Sequence, residues 1–166
     1  HTQNIIQFAE DVTEATGGEL EITVHSAGSL FKHPEIKRAV QTGQVQIGEM
    51  LISLLSNEDP VFAVDTIPFL ADSYDDAGKL WSASRDAVEE RLAEDGLMLL
   101  YAVPWPAQGL YVNQEVDDVS DMAGVPFRAY NATTSRLAEL MGAVPTQVEV
   151  PEIPQAFSTG IVEAMI

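Results

Sequence analysis

Arg128 poses the main chemical question in this chain. It lies in "DMAGVPFRAYNATTS", with Val125, Phe127 and Tyr130 around it. Those neighbours suit a short, largely covered strand. A guanidinium cannot lose its proton to escape burial, and leaving it unpaired in a dry place is costly. It therefore holds either a carboxylate of the protein or an anionic ligand. Other residues near it in sequence could complete an anion site. Trp105 and Gln108 stand at the Pro-rich "PWPAQG", and Tyr130 and Asn131 follow Arg128 closely. Tryptophan offers an apolar plate with one donor, and arginine a fork that fits a carboxylate through two parallel bonds. Asn131 could cap the next helix, whose N-terminus itself favours an anion. Each residue also has a purely structural reading: Trp105 as hinge packing, Gln108 as loop surface, Asn131 as a cap only, Arg128 as an internal salt bridge.

The usual catalytic sets are missing. His1, His25 and His33 lack the HExxH spacing, and no GxSxG is present for a serine hydrolase. "TGGEL" closes a helix instead of opening one, so it is no dinucleotide fingerprint. "DSYDDAG" lacks the spacing of a calcium loop. With no cysteine there is no thiolate nucleophile, disulfide or thiolate metal site. Carboxylate pairs carry no weight in a chain this acidic and read as solvated faces. Eight Lys+Arg against 26 Asp+Glu give a formal net charge of −18. Such a surface repels nucleic acid and anionic membranes. No apolar run reaches the roughly 20 residues of a membrane span, and no signal peptide is visible. Both ends read as cut, since the first residues already follow a helical pattern and the last, "GIVEAMI", stay apolar to Ile166.

The elements that must position these residues alternate in type. Ile5, Phe8, Ala9, Val12 and Ala15 follow helical spacing until "TGG". "LEITVHS" alternates as a strand, with His25 facing outward. His33 stands as a cap before Pro34, which opens a helix at its first position, and Gly43 ends it. "QVQIGEMLIS" is strand-like. Ser73 with Asp76 starts a long amphipathic helix that Gly96 closes. "LMLLYAV" reads as a buried strand; the Pro-rich joint "PWPAQG" and then "LYVN" follow it, and "TTSRLAELMG" reads as a short helix ended by Gly142. A last helix and strand run from Pro151 to Ile166. This alternation argues an α/β protein with parallel strands.

"PEIKRAVQTGQV" at Pro34 and "PEIPQAFSTGIV" at Pro151 share Pro, Glu, Ile, Ala, Thr, Gly and Val at identical offsets. Either two βαβ units converge on one start and stop chemistry, or two lobes of similar build meet near "PWPAQG". The second reading is the build of a hinged binding protein.

The chain resembles the solute-binding proteins of TRAP transporters, the tripartite ATP-independent periplasmic carriers of organic acids. The resemblance spans essentially the whole chain and rests on "HTQNIIQFAEDVTEATGGELEITVHSAGSL", "VQTGQVQIGEM", "DTIPFL", "DMAGVPFRAYN", "LMGAVPTQVE" and "AFSTGIVEAMI" in family order. It implies a two-lobed α/β periplasmic binding fold, present here as an incomplete chain. Residues 1–104 would form the first lobe, without its first strand, and 105–166 the start of the second. It implies no catalysis and no cofactor. The protein would capture an organic acid between its lobes in the periplasm, after removal of a signal peptide, and deliver it to the TRAP membrane permease. The family's G-x-x-x-R strand maps its carboxylate-binding arginine onto Arg128. Many members place a second arginine where this chain has Gln108. Loss of that cation points to a monocarboxylate with an apolar or aromatic body, which Trp105 and Phe69 of "IPFL" could cover. The rival readings are a fragment of a doubly wound α/β enzyme and a ligand-sensing domain of the same fold.

Overall fold

The computed structural model describes residues 2–166, so His1 lies outside it. Helix α1 spans Thr2–Ala15 and ends at the glycines of "TGG", both with positive φ. The chain then passes through a 3₁₀ turn, His33–Glu35, into the short α2, Ile36–Gln41. The N-cap of that turn is Lys32, not His33: the Glu35 carboxylate accepts from the Lys32 N–H at 2.9 Å, and His33 already belongs to the turn. Two further 3₁₀ segments, Ile52–Leu55 and Pro60–Thr66, lead to α3, Tyr74–Glu94. Ser73 caps α3, its Oγ accepting from the Asp76 N–H at 3.2 Å and donating to the Asp76 carboxylate at 2.6 Å.

The remaining elements lie within 111–166. They are β1 (Tyr111–Val112), β2 (Pro126–Ala129), α4 (Ala132–Leu140), β3 (Val144–Gln147), α5 (Ile153–Ser158) and β4 (Ala164–Met165). They form one four-stranded sheet in the order β1-β4-β2-β3. β2 pairs parallel with both β3 and β4, which places the arginine strand between two neighbours. The expected parallel pairing is present among β2, β3 and β4, while at the edge β1 runs antiparallel to β4. An edge strand with one neighbour is free of the crossover constraint, so mixed sheets commonly carry such a strand.

A larger correction concerns "LEITVHS", "QVQIGEMLIS" and "LMLLYAV". None of them forms a strand ladder; most of their length carries no regular element. Several of their apolar residues are also uncovered, with Met98 at 81% exposure and Leu20 and Leu100 near half, while Met50 and Leu99 are partly buried. A strand satisfies its backbone groups only through a partner, and none of the three segments pairs with another.

Three packed clusters hold the chain. Leu55, Phe62 and Val88 collect Met50, Trp81, Leu92 and Leu99. Met122, Val125, Phe127, Ala138, Ala143 and Ala164 join the underside of the sheet to α4. Val148, Ala156 and Val162 seat α5. Between the first and second clusters the chain from 101 to 110 is exposed and has no regular element.

The two Pro–Glu–Ile segments have the same local build. In each a 3₁₀ turn feeds a six-residue helix, and Gly43 and Gly160 follow the helix ends with φ of 71° and 73°. Glycine is the residue that adopts this conformation without steric cost.

Candidate functional site

β2, β3 and β4 run in the same direction, so their carboxyl ends share one edge of the sheet. In open α/β sheets that edge is where ligands bind. Arg128 stands near the end of the central strand, in register with Thr146 on one side and Met165 on the other. Its neighbours on β2, Phe127 and Ala129, are buried in the core, and Arg128 itself is only 5% exposed.

The guanidinium is held at one end only. Its Nε donates to the Val148 carbonyl at 2.9 Å, and its Cζ lies 5.0 Å from the centre of the Tyr130 ring. Among the described residues no carboxylate comes within ion-pair distance of it. Among the described residues no fully buried side-chain nitrogen or oxygen lacks a partner, so the two terminal nitrogens, which have no protein partner there, keep some contact with solvent. Burial lowers the pKa of Arg128, and the fields of Tyr130 and Glu149 oppose that shift. Arginine keeps its charge in any protein setting. The result is a fixed, desolvated cation whose fork has no protein carboxylate on it.

The sequence turns from β2 into α4 within two residues. Asn131 is the N-cap, its Oδ1 accepting from the Thr134 N–H at 2.8 Å and the Thr134 hydroxyl at 2.9 Å. Thr134 returns the favour through its Oγ1, which accepts from the Asn131 N–H at 3.1 Å. This reciprocal cap fixes where the positive end of α4 points. The other end of the Asn131 amide is also engaged: Nδ2 donates to the buried Ser53 hydroxyl at 3.0 Å.

Tyr130 is half-buried, and its pKa is raised, first by burial and also by Asp65. Asp65 reaches solvent but is crowded enough by protein that its carboxyl is raised as well. Its neighbour Thr66 meets Thr133, on the first turn of α4, with hydroxyls 3.0 Å apart.

Of the six residues singled out from the sequence, the fold thus brings Arg128, Tyr130 and Asn131 together. Trp105 lies on the exposed 101–110 stretch, more than half exposed. Gln108 is exposed and donates to the Pro106 carbonyl of its own loop at 2.9 Å. Phe69 is 97% exposed, in a turn with φ of 64°. No hydrogen bond or ring contact among the described residues joins Phe69 or Gln108 to Arg128. Two shallow depressions run along α3, one bordered by Tyr74 and Lys79 and the other by Asp59 and Arg91; neither includes a residue of the Arg128 cluster.

Sequence reasoning missed Ser53, Thr66, Thr133 and the Val148 carbonyl. Ser53 carried a usable signal: it is the small polar residue inside "LISLLS", where a polar group among Ile and Leu implies a buried hydrogen bond. The partner, 78 residues away, carried none.

Comparison with known proteins settles the family. The profile of the DctP group, bacterial extracellular solute-binding protein family 7, matches residues 1–166. The chain belongs to this family. Its members are solute-binding receptors, not enzymes, which sets aside the reading as an enzyme fragment. This solute-binding protein is 54% identical to DctP7, a Bordetella pertussis extracytoplasmic solute receptor whose crystal structure binds pyroglutamic acid. The match covers 99% of this chain and 55% of that one, with a TM-score of 0.95. A marine metagenome TRAP solute-binding protein specific for pyroglutamate is 49% identical, over 99% of this chain and 54% of that one, with a TM-score of 0.96. A Sulfitobacter TRAP periplasmic protein with bound β-D-galacturonate is 25% identical, over 98% and 55%, with a TM-score of 0.88. The α/β fold is therefore that of the two-lobed TRAP solute-binding proteins, and the chain spans about half the length of these structures.

Proposed function

We propose that this protein binds a small organic monocarboxylate, with Arg128 as the anchor, and hands it to a TRAP membrane permease from the periplasm. One observation carries the reading. Arg128 is buried on β2, yet no carboxylate of the described chain is paired with it, and its one hydrogen bond, from Nε to the Val148 carbonyl, leaves both terminal nitrogens without a protein partner, on the strand that leads into the capped start of α4. A carboxylate there would accept two parallel bonds from the fork and lie near the positive end of the helix.

Pyroglutamate is the ligand we assign. Two relatives near 50% identity bind it, and its single carboxylate suits one cation. This keeps the monocarboxylate expected from Gln108 and replaces the large apolar body with a small lactam ring. Within this reading Tyr130 packs against the guanidinium and Asn131 orients α4. Trp105, Gln108 and Phe69 are candidates for the opposite wall. The lobes would divide as 1–104 and 105–166. The separate packed clusters on either side of the exposed 101–110 stretch support that boundary.

Calorimetry on the full-length protein with L-pyroglutamate, D-galacturonate, succinate and an aromatic acid tests the proposal. Pyroglutamate should bind most tightly. Preference for succinate, or no binding of any carboxylate, would overturn it.

A further inference from the structure

Two side-chain hydrogen bonds cross from the cluster around Phe62 to the cluster around Phe127, and both land on the first turn of α4. Asn131 Nδ2 donates to Ser53 Oγ at 3.0 Å. Thr66 and Thr133 hydroxyls meet at 3.0 Å. The direction of the second bond follows from proton count. A threonine hydroxyl has one proton, and that of Thr66 goes to the Ala63 carbonyl at 2.8 Å. Thr133 is therefore the donor. The chain linking the two clusters, 101–110, is exposed and without regular structure, so it does little to fix how they meet.

The geometry points to Ser53 and Thr66 as positioning residues: they form a two-rung latch that holds the start of α4, and with it the Arg128 edge, against the 52–66 segment. This rests on the carboxylate reading above. It goes beyond it by naming residues that act through contacts within the protein and set how long a ligand stays. Asn131 is the link. Its Oδ1 is committed to the α4 cap and its Nδ2 to Ser53, so the residue that aims the helix end is also the one the latch grips. It stands three positions after Arg128 on the turn that joins strand to helix. A ligand held at that edge is released only when the 52–66 segment lifts away, which breaks both rungs. Removing a rung therefore speeds release and leaves capture alone.

The test is stopped-flow binding of L-pyroglutamate, with D-galacturonate as a second probe, to the full-length protein and to Ser53→Ala, Thr133→Val and Thr133→Ser. A net hydrogen bond lost from the bound state predicts dissociation roughly 3–10-fold faster for Ser53→Ala and for Thr133→Val. Association should stay within about twofold, since affinity changes within one interface fall mostly on the off-rate. Thr133→Ser keeps the donor and should restore the wild-type rate. The melting temperature of the ligand-free protein should barely move. If the wild type binds and the variants release at its rate, the latch is wrong and the anchor stands. The latch is equally wrong if ligand-free stability falls while release is unchanged, because the contacts would then be structural only. If the wild type binds neither acid, the carboxylate reading fails and the latch falls with it.

Discussion

Residues 2–99 and 111–166 treat their cations differently. In the first region the covered cation is Lys37, on α2, and it pairs with Glu58 and, at 2.7 Å, with Asp95. Arg91 joins the same group, 2.9 Å from Asp95 and 3.7 Å from Asp59. These charges tie α2 and the end of α3 to the intervening turn. In the second region Arg128 is at least as covered and has a backbone carbonyl and a ring for company, but no carboxylate. A surplus of acid is available throughout the chain, so the lack of a partner is a matter of placement. A buried charge that is paired internally holds structure together; one left with an open fork fits the ligand anchor proposed above.

The regions also differ in how they close their backbones. Helices satisfy themselves, and α1, α2 and α3 form in 2–99 although no ladder does. In 111–166 four short strands each find a neighbour. The core contrast can be broken from either side. Phe127→Ala and Phe62→Ala each remove a fully buried ring and should each cost about 3–5 kcal/mol. Because Trp81 packs on the Phe62 cluster, its fluorescence transition in urea should shift more for Phe62→Ala. The strand signal in circular dichroism should suffer more for Phe127→Ala. Equal shifts by both probes in both variants would mean that the regions unfold as one.

Replacing each cation sharpens the comparison next. Lys37→Met should lose roughly 1–2 kcal/mol, less than for a fully buried pair because Glu58 and Asp95 keep some solvent. Arg128→Met should lose less than about 1 kcal/mol, since no ion pair is broken and a desolvation cost is relieved. Urea midpoints check both. The pH dependence follows from signs. The Asp95 carboxyl is held low, first by Lys37 and then by Arg91. Its contribution is present above the unfolded value of about 3.9 and is lost as pH falls through the lower folded value. The Lys37 ammonium is raised by Asp95 and Glu58 against its own desolvation. Its contribution is present below about 10.4 and is lost as pH rises through the folded value. Lys37→Met should flatten both limbs, while Arg128→Met should leave them unchanged.

The smallest effect tests the paired Pro–Glu–Ile segments. A Cβ at Gly43 or Gly160 would meet no atom within 4 Å, so Gly→Ala costs only the strain of positive φ, about 1–2 kcal/mol. The two variants should match within experimental error. A clear inequality would show that the shared sequence hides different local builds.

Much of this was legible in the sequence wherever the deciding interaction is local. Ser73 with Asp76, Asn131 with Thr134, and the glycines at 43, 96, 142 and 160 all act within a few residues of themselves, and type and spacing specify them. The arginine strand was legible because an unalterable charge stood among Val125, Phe127 and Tyr130. The strand readings at 20–26, 44–53 and 97–103 rest on alternation or an apolar run, and neither pattern can supply the neighbour a strand needs. The antiparallel edge β1 was hidden because a two-residue strand carries no period. Ser53 was overlooked because its partner is set by tertiary packing. Phe69 stands out as an aromatic in "IPFL", but its positive φ and full exposure depend on a turn that the motif does not specify.

The central claim is that Arg128 grips a ligand carboxylate with its fork. Calorimetry with L-pyroglutamate on the full-length wild type and Arg128→Lys tests it most directly, because lysine keeps the charge and loses the second parallel bond. The account predicts that Arg128→Lys weakens binding by about 1.5–3 kcal/mol, the order of a charge-assisted hydrogen bond, with an unchanged circular dichroism spectrum. Wild-type affinity in Arg128→Lys would contradict it.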